Sequence, residues 1–223
     1  FRVFAWGGSP QGVFGLERFE FNGSVTYIPC YGGTTYTWES GEWNTAGTPT
    51  LNDPVIINDN YNTNNNGSFS TCNLTVNNDF TLTITDNMYV EVENDIVVNG
   101  NIIVQPKGSV VQINDDGIVT NNGNITVNKR TAPANNWYEY TYWSSPVENE
   151  TIGNGLTDSD VRRRFWFNAQ NFLDATSESN NNNATDNGQD DIDDDGNDWI
   201  YANSGDIMIP GLGYASTHDE AIF

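Results

Sequence analysis

Residues 74–127 read LTVNNDFTLTITDNMYVEVENDIVVNGNIIVQPKGSVVQINDDGIVTNNGNITV and decide the fold. Leu74, Leu82, Val90 and Val98 recur every eight residues, and Thr or Glu occupies the opposite phase within several of these short runs. Period-2 alternation indicates strands that bury one face, and short repeated rungs indicate a β-solenoid around one column of aliphatic side chains. A meandering β-sandwich is the alternative, but turns this short leave little chain for its crossovers.

The turns between these runs are rich in Asn, Asp and Gly. Asn tolerates the left-handed conformation that tight turns require, and its side chain bonds the local backbone. Stacked Asn side chains can also form ladders from one rung to the next. A local structural role therefore explains the Asn content without a function.

Composition and charge narrow the class of protein. The 223 residues include 8 Lys and Arg against 30 Asp and Glu, a formal net charge of −22. This charge argues against nucleic acid as a partner, because phosphates would be repelled.

No run approaches the roughly 18 apolar residues of a membrane-spanning helix, so we expect no direct membrane insertion. No helical apolar stripe continues beyond two turns, which predicts an all-β chain. The chain begins with Phe1, in the middle of a pattern, so we expect an internal fragment of a longer protein.

Two tryptophans precede the rungs. Trp38 and Trp43 flank a Gly turn. An open solenoid end exposes strand edges and core, so we interpret the pair as a cap on the first rung. The alternative is a platform on which sugar rings stack.

The two cysteines are too few for a disulfide scaffold and lack the spacing of a metal knuckle. If the protein is exported, a Cys30–Cys72 disulfide would close a loop of 42 residues, worth ~4 kcal/mol. Two separately buried thiols are the alternative.

The last zone is rich in aromatic residues. Tyr138, Tyr140 and Tyr142 alternate with Glu139 and Thr141, which predicts a strand with one aromatic face. We interpret that face as core and not as a ligand site. The basic cluster of Arg162, Arg163 and Arg164 follows, and we expect it to pair internally with the acidic surplus.

Several motifs occur in a fixed order: TYTWESGEW, NDPVIIND, STCNLTVNND, the rungs, TYWSSPV, FWFNAQNF, DDIDDDGNDW and PGLGY. Over residues 35–223 this order resembles a module of large surface proteins that Bacteroidetes-type bacteria export by type IX secretion, including adhesin-like proteins of gliding cells. The stretch FRVFAWGGSPQGVFGLERFEFNGSV is similar to the closing hairpin of a jelly-roll domain. The resemblance implies a jelly-roll tail at 1–28, a Trp-capped solenoid at 29–130, and a β region at 131–223 with an acidic insert at 174–198.

The same resemblance implies an extracellular, cell-surface location. The expected partners are the type IX secretion translocon and its carrier proteins, with surface polysaccharide as a further partner. No catalytic role is attached to such modules.

One acidic stretch has the spacing of a calcium loop. Asp191, Asp193 and Asp195, followed by Gly, fit the first half of the D-x-D-x-D-G pattern, in which alternate carboxylates face one Ca²⁺ ion. Asn197 would add its backbone carbonyl, and Asp198 or Asp206 would take the place of the missing Glu. A solvated acidic loop is the alternative.

Catalytic motifs are weak. His218 lies beside Asp219 and close to Ser216, but three neighbours in sequence rarely form a triad, and there is no G-x-S-x-G elbow. We therefore expect a non-catalytic structural or adhesive module that serves surface adhesion or gliding motility. The alternative is a carbohydrate-binding or carbohydrate-cleaving β-helix, with Trp137 and Trp143 joining Trp38 and Trp43 as sugar platforms. A third hypothesis is a scaffold for an enzyme whose active site lies on other domains.

Overall fold

The computed structural model describes residues 30–170 and 198–223, and the regular structure in these ranges is almost entirely β. The predicted jelly-roll hairpin at 1–28 lies outside the described residues, as does the acidic insert except for Asp198. The first thirteen strands form the solenoid. They are β1 (Tyr36–Glu39), β2 (Glu42–Trp43), β3 (Val55–Ile57), β4 (Tyr61–Asn62), β5 (Phe69–Thr71), β6 (Leu74–Val76), β7 (Thr81–Ile84), β8 (Tyr89–Val92), β9 (Ile96–Val98), β10 (Asn101–Val104), β11 (Ser109–Gln112), β12 (Val119–Asn121) and β13 (Asn124–Val127).

The solenoid has three sheets in which stacked strands pair in parallel, apart from the antiparallel pair β1 and β2, and each of the first three coils contributes one strand to each sheet. The first coil is β3, β4 and β5, the second β6, β7 and β8, the third β9, β10 and β11, and the fourth β12 and β13. Leu74 pairs in register with Val55 in the coil before it and with Ile96 in the coil after it. The prediction of an all-β chain with a short β-solenoid is confirmed.

The core is a single column inside the coils. Every strand of the second coil buries alternate residues, as the period-2 pattern predicted. Each fully buried aliphatic side chain contributes about 1.5–3 kcal/mol. The column consists of Val55, Ile57, Leu74, Val76, Leu82, Ile84, Val90, Val92, Ile96, Val98, Ile102 and Val104, with aromatic residues at its N-terminal end.

Asn side chains stack outside this column. Asn94 donates from Nδ2 to Oδ1 of Asn73 at 3.3 Å and accepts from Nδ2 of Asn114 at 2.8 Å. Two turn residues, Asp79 and Asn87, adopt positive φ of 68° and 62°. Both the ladder and the left-handed turns agree with the local role predicted for these residue types.

Two turn glycines stack on successive coils. A Cβ on Gly100 would collide with the carbonyl oxygens of Asn77 and Phe80, and one on Gly123 would collide with the carbonyl oxygen of Gly100. The backbone of each turn therefore lies directly against the turn below, which only glycine permits.

The remaining elements are β14 (Thr141–Trp143), β15 (Ser159–Phe167), β16 (Trp199–Tyr201) and β17 (Tyr214–His218), with the short helices α1 (Thr63–Asn66) and α2 (Ile152–Gly155). The four strands form a separate antiparallel sheet, in the order β14-β17-β15-β16. A second hydrophobic cluster, which includes Ile152 and Met208, packs against it. Neither helix in the described ranges has the length or apolarity of a membrane-spanning segment.

Candidate functional site

The two cysteines form a disulfide, Cys30–Cys72, that closes the 42-residue loop. Cys72 is buried directly after β5, and its backbone N–H donates to the carbonyl oxygen of Asp53 at 3.0 Å. Asn73 donates from Nδ2 to Sγ of Cys30 at 3.0 Å. The bond therefore fastens the segment before β1 to the end of the first coil.

Trp38 and Trp43 belong to an aromatic cluster at the start of the column. Trp38 is 5% exposed, and its ring centroid lies 5.1 Å from that of Trp43 and 4.8 Å from that of Tyr61. Its Nε1 donates to the carbonyl oxygen of Asn60 at 3.2 Å. Trp43 is half-buried and meets Phe69 edge-on at 5.7 Å. These contacts favour the cap and leave no open sugar platform at Trp38, because neighbouring rings already cover its indole.

The other two tryptophans of the sugar-platform hypothesis also have protein partners. Trp143 packs against the hydrophobic cluster of the C-terminal sheet, and its Nε1 donates to Oγ of Ser216 at 3.2 Å. The guanidinium carbon of Arg163 lies 4.8 Å from the ring centroid of Trp137. Trp143 is therefore a core residue, and Trp137 holds a cation against one ring face.

The interpretation of the three tyrosines as core is wrong. Tyr138, Tyr140 and Tyr142 are 53%, 43% and 72% exposed. In β14 the inward residue is Trp143, on the opposite phase of the alternation. An indole buries a large apolar area, so burial of Trp143 turns its tyrosine neighbours towards solvent.

Tyr140 and Tyr142 line one wall of a groove on the outer face of this sheet. We name it the aromatic groove and define it by Tyr140, Tyr142, Phe165, Trp199 and Ala215, which enclose about 350 Å³. The register places Tyr142 beside Ala215, and Ala215 beside Phe165, on three adjacent strands. Ala215 is buried, so its small side chain forms the floor between taller aromatic walls.

The rings of the aromatic groove extend into two tracks across the sheet. One track joins Tyr142 of β14 to Trp199 of β16 and continues to Phe167 of β15, and the other runs from Tyr140 through Phe165 of β15 to Tyr201 of β16. The centroid distances are 6.2 Å for Tyr142 and Trp199, 5.0 Å for Trp199 and Phe167, 6.3 Å for Tyr140 and Phe165, and 6.2 Å for Phe165 and Tyr201.

A buried arginine fixes the strand beneath the groove. Arg164 is 3% exposed, and its Nε donates to Oγ of Ser159 at 2.7 Å. Nη2 donates to the carbonyl oxygens of Leu156 and Ser159, both at 2.9 Å, and Nη1 to Oγ of Ser204 at 3.2 Å. The next residue, Phe165, is a groove wall, so these bonds hold that wall in place.

Among the described residues, the basic cluster pairs with a carboxylate at one of its three positions. Nη2 of Arg162 lies 2.8 Å from Oδ2 of Asp160. Hydrogen bonds from the Arg162 side chain, and then from its backbone N–H, lower the pKa of Asp160 to about 2. The predicted pairing with an acidic residue therefore holds for Arg162. Arg163 instead contacts an indole face, and Arg164 donates to neutral oxygens.

A cleft separates the last coils from the C-terminal sheet. It has a volume of about 910 Å³, and one wall runs along residues 124–131 while the other includes Trp143, Leu156 and Met208. The sheet that carries the aromatic groove is thus seated next to the C-terminal end of the solenoid.

The calcium ligands fall largely outside the described residues, which exclude Asp191, Asp193, Asp195 and Asn197. Asp198 is buried, and its carbonyl oxygen accepts the N–H of Asn168 at 2.7 Å. In the ranges that the structure describes, no three His, Cys, Asp or Glu side chains group as metal ligands. Calcium binding stays a prediction, which a melting curve in excess chelator would test.

The residues near the lone histidine have structural contacts. Ser216 and His218 both lie on β17, where Oγ of Ser216 accepts the indole N–H of Trp143. The His218 ring lies 5.6 Å from that of Phe223.

Sequence reasoning missed three groove residues, Phe165, Trp199 and Ala215. The stretches FWF and WIY are apolar in both phases, so periodicity does not say which residues face solvent. The small residue Ala215, in an alternating strand, is the sequence signal that could have indicated a gap between aromatic side chains. The rings themselves come together only because strands that are distant in sequence pair with one another.

Residues 30–219 match the family model described as Domain of unknown function (DUF8693), a range that includes the disulfide, the solenoid and the four strands of the C-terminal sheet. The searches of curated proteins and of solved structures found no match. Since the family model covers most of the chain, the protein belongs to the DUF8693 family.

Proposed function

We propose that this chain is a non-catalytic structural and adhesive module of a large secreted cell-surface protein. The solenoid serves as a stiff spacer, and the C-terminal sheet presents the surface that makes contact. The observation that carries the proposal is the exposed aromatic groove, held on a sheet that lies across a cleft from the last of a stack of in-register coils.

The coil architecture supports the spacer role. Each coil of a solenoid contacts its neighbours alone, so stacking gives an elongated body whose ends differ in chemistry. Here an aromatic cap and a disulfide secure the N-terminal end. Exposed aromatic patches on a soluble surface commonly mark interaction sites, which supports the adhesive role of the other end.

The disulfide supports the proposed location, because such bonds persist in oxidising compartments outside the cytosol. Export by type IX secretion, with its translocon and carrier proteins as partners, follows from the motif resemblance. Adhesion and gliding motility are the processes in which such a module would serve.

Attachment of intact cells tests this function. Deletion of residues 30–223 from the full-length gene is expected to reduce attachment to surfaces, and inactivation of the type IX translocon is expected to retain the module inside the cell. Unchanged attachment after the deletion would contradict the adhesive role. An unchanged location after inactivation of the translocon would contradict export by type IX secretion. Release of new reducing ends from a polysaccharide by the purified protein would contradict its non-catalytic character.

Carbohydrate binding is the second candidate function, and the aromatic groove favours it. The residues described as lining the groove carry no carboxylate, whereas glycoside cleavage generally uses two. Binding is therefore the form of this candidate that we develop below.

A further inference from the structure

We propose that the aromatic groove binds an extended, neutral, β-linked polysaccharide, with Tyr142 and Trp199 contacting the sugar rings. This deepens the proposed function and rests on it in one respect, since it assigns a ligand class to the surface through which the module would adhere.

The first step is that the rings stand open while their scaffold is fixed. Tyr142 is 72% exposed and Trp199 is 41% exposed, although the other face of the same sheet buries Tyr214 and packs the half-buried Trp143 against the hydrophobic cluster. Burying such rings against a ligand would release apolar surface from water. Arg164 and the strand pairing hold the groove in shape before any ligand arrives, which lowers the entropy cost of binding.

The second step is the chemistry of the lining. Four of the five groove residues are aromatic, and the fifth is Ala215. An aromatic face carries partial negative charge. It therefore attracts the C–H groups on the flat face of a pyranose, while the hydroxyl groups at the sugar's perimeter stay in water. The phenol groups of Tyr140 and Tyr142 add hydrogen-bonding capacity at the rim.

The third step is shape. Successive ring centroids in the two tracks are 5.0 to 6.3 Å apart, with interplanar angles of 44° to 82°, so neighbouring rings brace one another and leave their outer faces and edges to a ligand. A β-1,4-linked chain is a flat ribbon that presents ring faces, whereas an α-1,4-linked chain coils. The side chain of Ala215 does not project beyond the rings, so a ribbon can lie across the exposed parts of Tyr142 and Trp199.

The fourth step is charge. The chain carries a net charge of −22, which disfavours polyanions such as nucleic acids, uronate polymers and anionic lipid surfaces. A neutral glycan has no such penalty. A helical apolar peptide generally docks in a groove of flexible aliphatic or Met side chains, and none lines this groove among the described residues. Proline-rich peptides do dock in aromatic grooves, so binding of such a peptide in place of the glycans would overturn the proposal.

The test uses calorimetric titration of the purified chain with cellohexaose, xylohexaose and mannohexaose. Maltohexaose serves as the α-linked comparator and polygalacturonate as the anionic one. Tyr142→Ala and Trp199→Ala remove groove rings, whereas Tyr89→Ala removes an exposed tyrosine of β8 on the solenoid and is the matched control. Tyr142→Phe keeps the ring and removes the hydroxyl.

We expect at least one β-linked hexasaccharide to bind, and each groove variant to weaken it by about tenfold, as loss of one stacking contact predicts. Tyr89→Ala and Tyr142→Phe should stay within about threefold of the wild type. No binding of any β-linked probe, equal binding of maltohexaose, or an equal loss in Tyr89→Ala would overturn the proposal.

Failure of this assignment is distinguishable from failure of the adhesive function. Loss of attachment in the deletion strain without glycan binding would leave adhesion standing and overturn the ligand class. Glycan binding with unchanged attachment in that strain would overturn adhesion and support the glycan site.

Discussion

Trp38 and Trp43 face each other across the antiparallel pair β1 and β2, with ring centroids 5.1 Å apart and ring planes at 73°. This contact closes the N-terminal end of the column, so we expect Trp38→Ala to lower the free energy of unfolding by about 3–5 kcal/mol. Trp199→Ala, which removes an exposed indole, should lower it by less than about 1 kcal/mol. Urea denaturation of both variants measures the difference, and equal losses would contradict the capping role.

The disulfide should contribute to stability through the unfolded chain. Closing 42 residues restricts the unfolded ensemble by ~4 kcal/mol, so reduction should lower the unfolding free energy by about that amount. Denaturation with and without reductant measures it. The double variant Cys30→Ala and Cys72→Ala is the control, because reductant should leave its transition unchanged. A wild-type transition that reductant does not shift would contradict this prediction.

The Asn ladder should have an energetic role as well as a geometric one. Asn94 is buried and bonds Asn73 and Asn114 at the same time, so Asn94→Ala removes two side-chain hydrogen bonds from the ladder. We expect a loss of about 1–3 kcal/mol. Asn122→Ala breaks a single bond to Asn99 at an exposed position and should cost less. Equal unfolding midpoints for the two variants would exclude a special role for the buried ladder.

The stability of the fold should fall at alkaline pH, because the buried phenol of Tyr61 ionises there. Burial raises the pKa of this phenol to about 12, from 10.0 in the unfolded chain, and its hydroxyl donates to the carbonyl oxygens of Asn66 and Gly67. A pKa raised on folding stabilises the native state fully below pH 10.0, and that contribution is lost as the pH rises towards about 12. Thermal melting between these pH values should decline less steeply in Tyr61→Phe, and parallel declines would contradict the assignment.

The rungs were predictable because each strand is short and alternates strictly. Leu74, Thr75 and Val76 reproduce the buried, half-buried, buried pattern that the alternation implied. The eight-residue step has a different meaning in three dimensions. Leu74 and Leu82 lie on different sheets of the same coil, and the stacking partner of Leu74 is Ile96. Periodicity within one strand does not encode how many strands complete a coil, so that number came from the pairing.

The candidate site was less predictable. The stretch EYTYW offers tyrosines on one phase and Trp143 on the other, and local alternation does not decide which set is buried. The choice depends on Ile152 and Met208, which supply the cluster against which Trp143 packs. A groove whose walls come from separate strands is a tertiary feature, and no single segment of the sequence contains it.

Because Leu74 pairs in parallel register with Ile96, the length of the solenoid changes only in steps of one coil. Duplication of residues 74–95 would add one coil, displacing the C-terminal sheet by ~4.8 Å while leaving the disulfide and the tryptophan cap as they are. Reach is therefore adjustable in this architecture without any change to the surface it delivers.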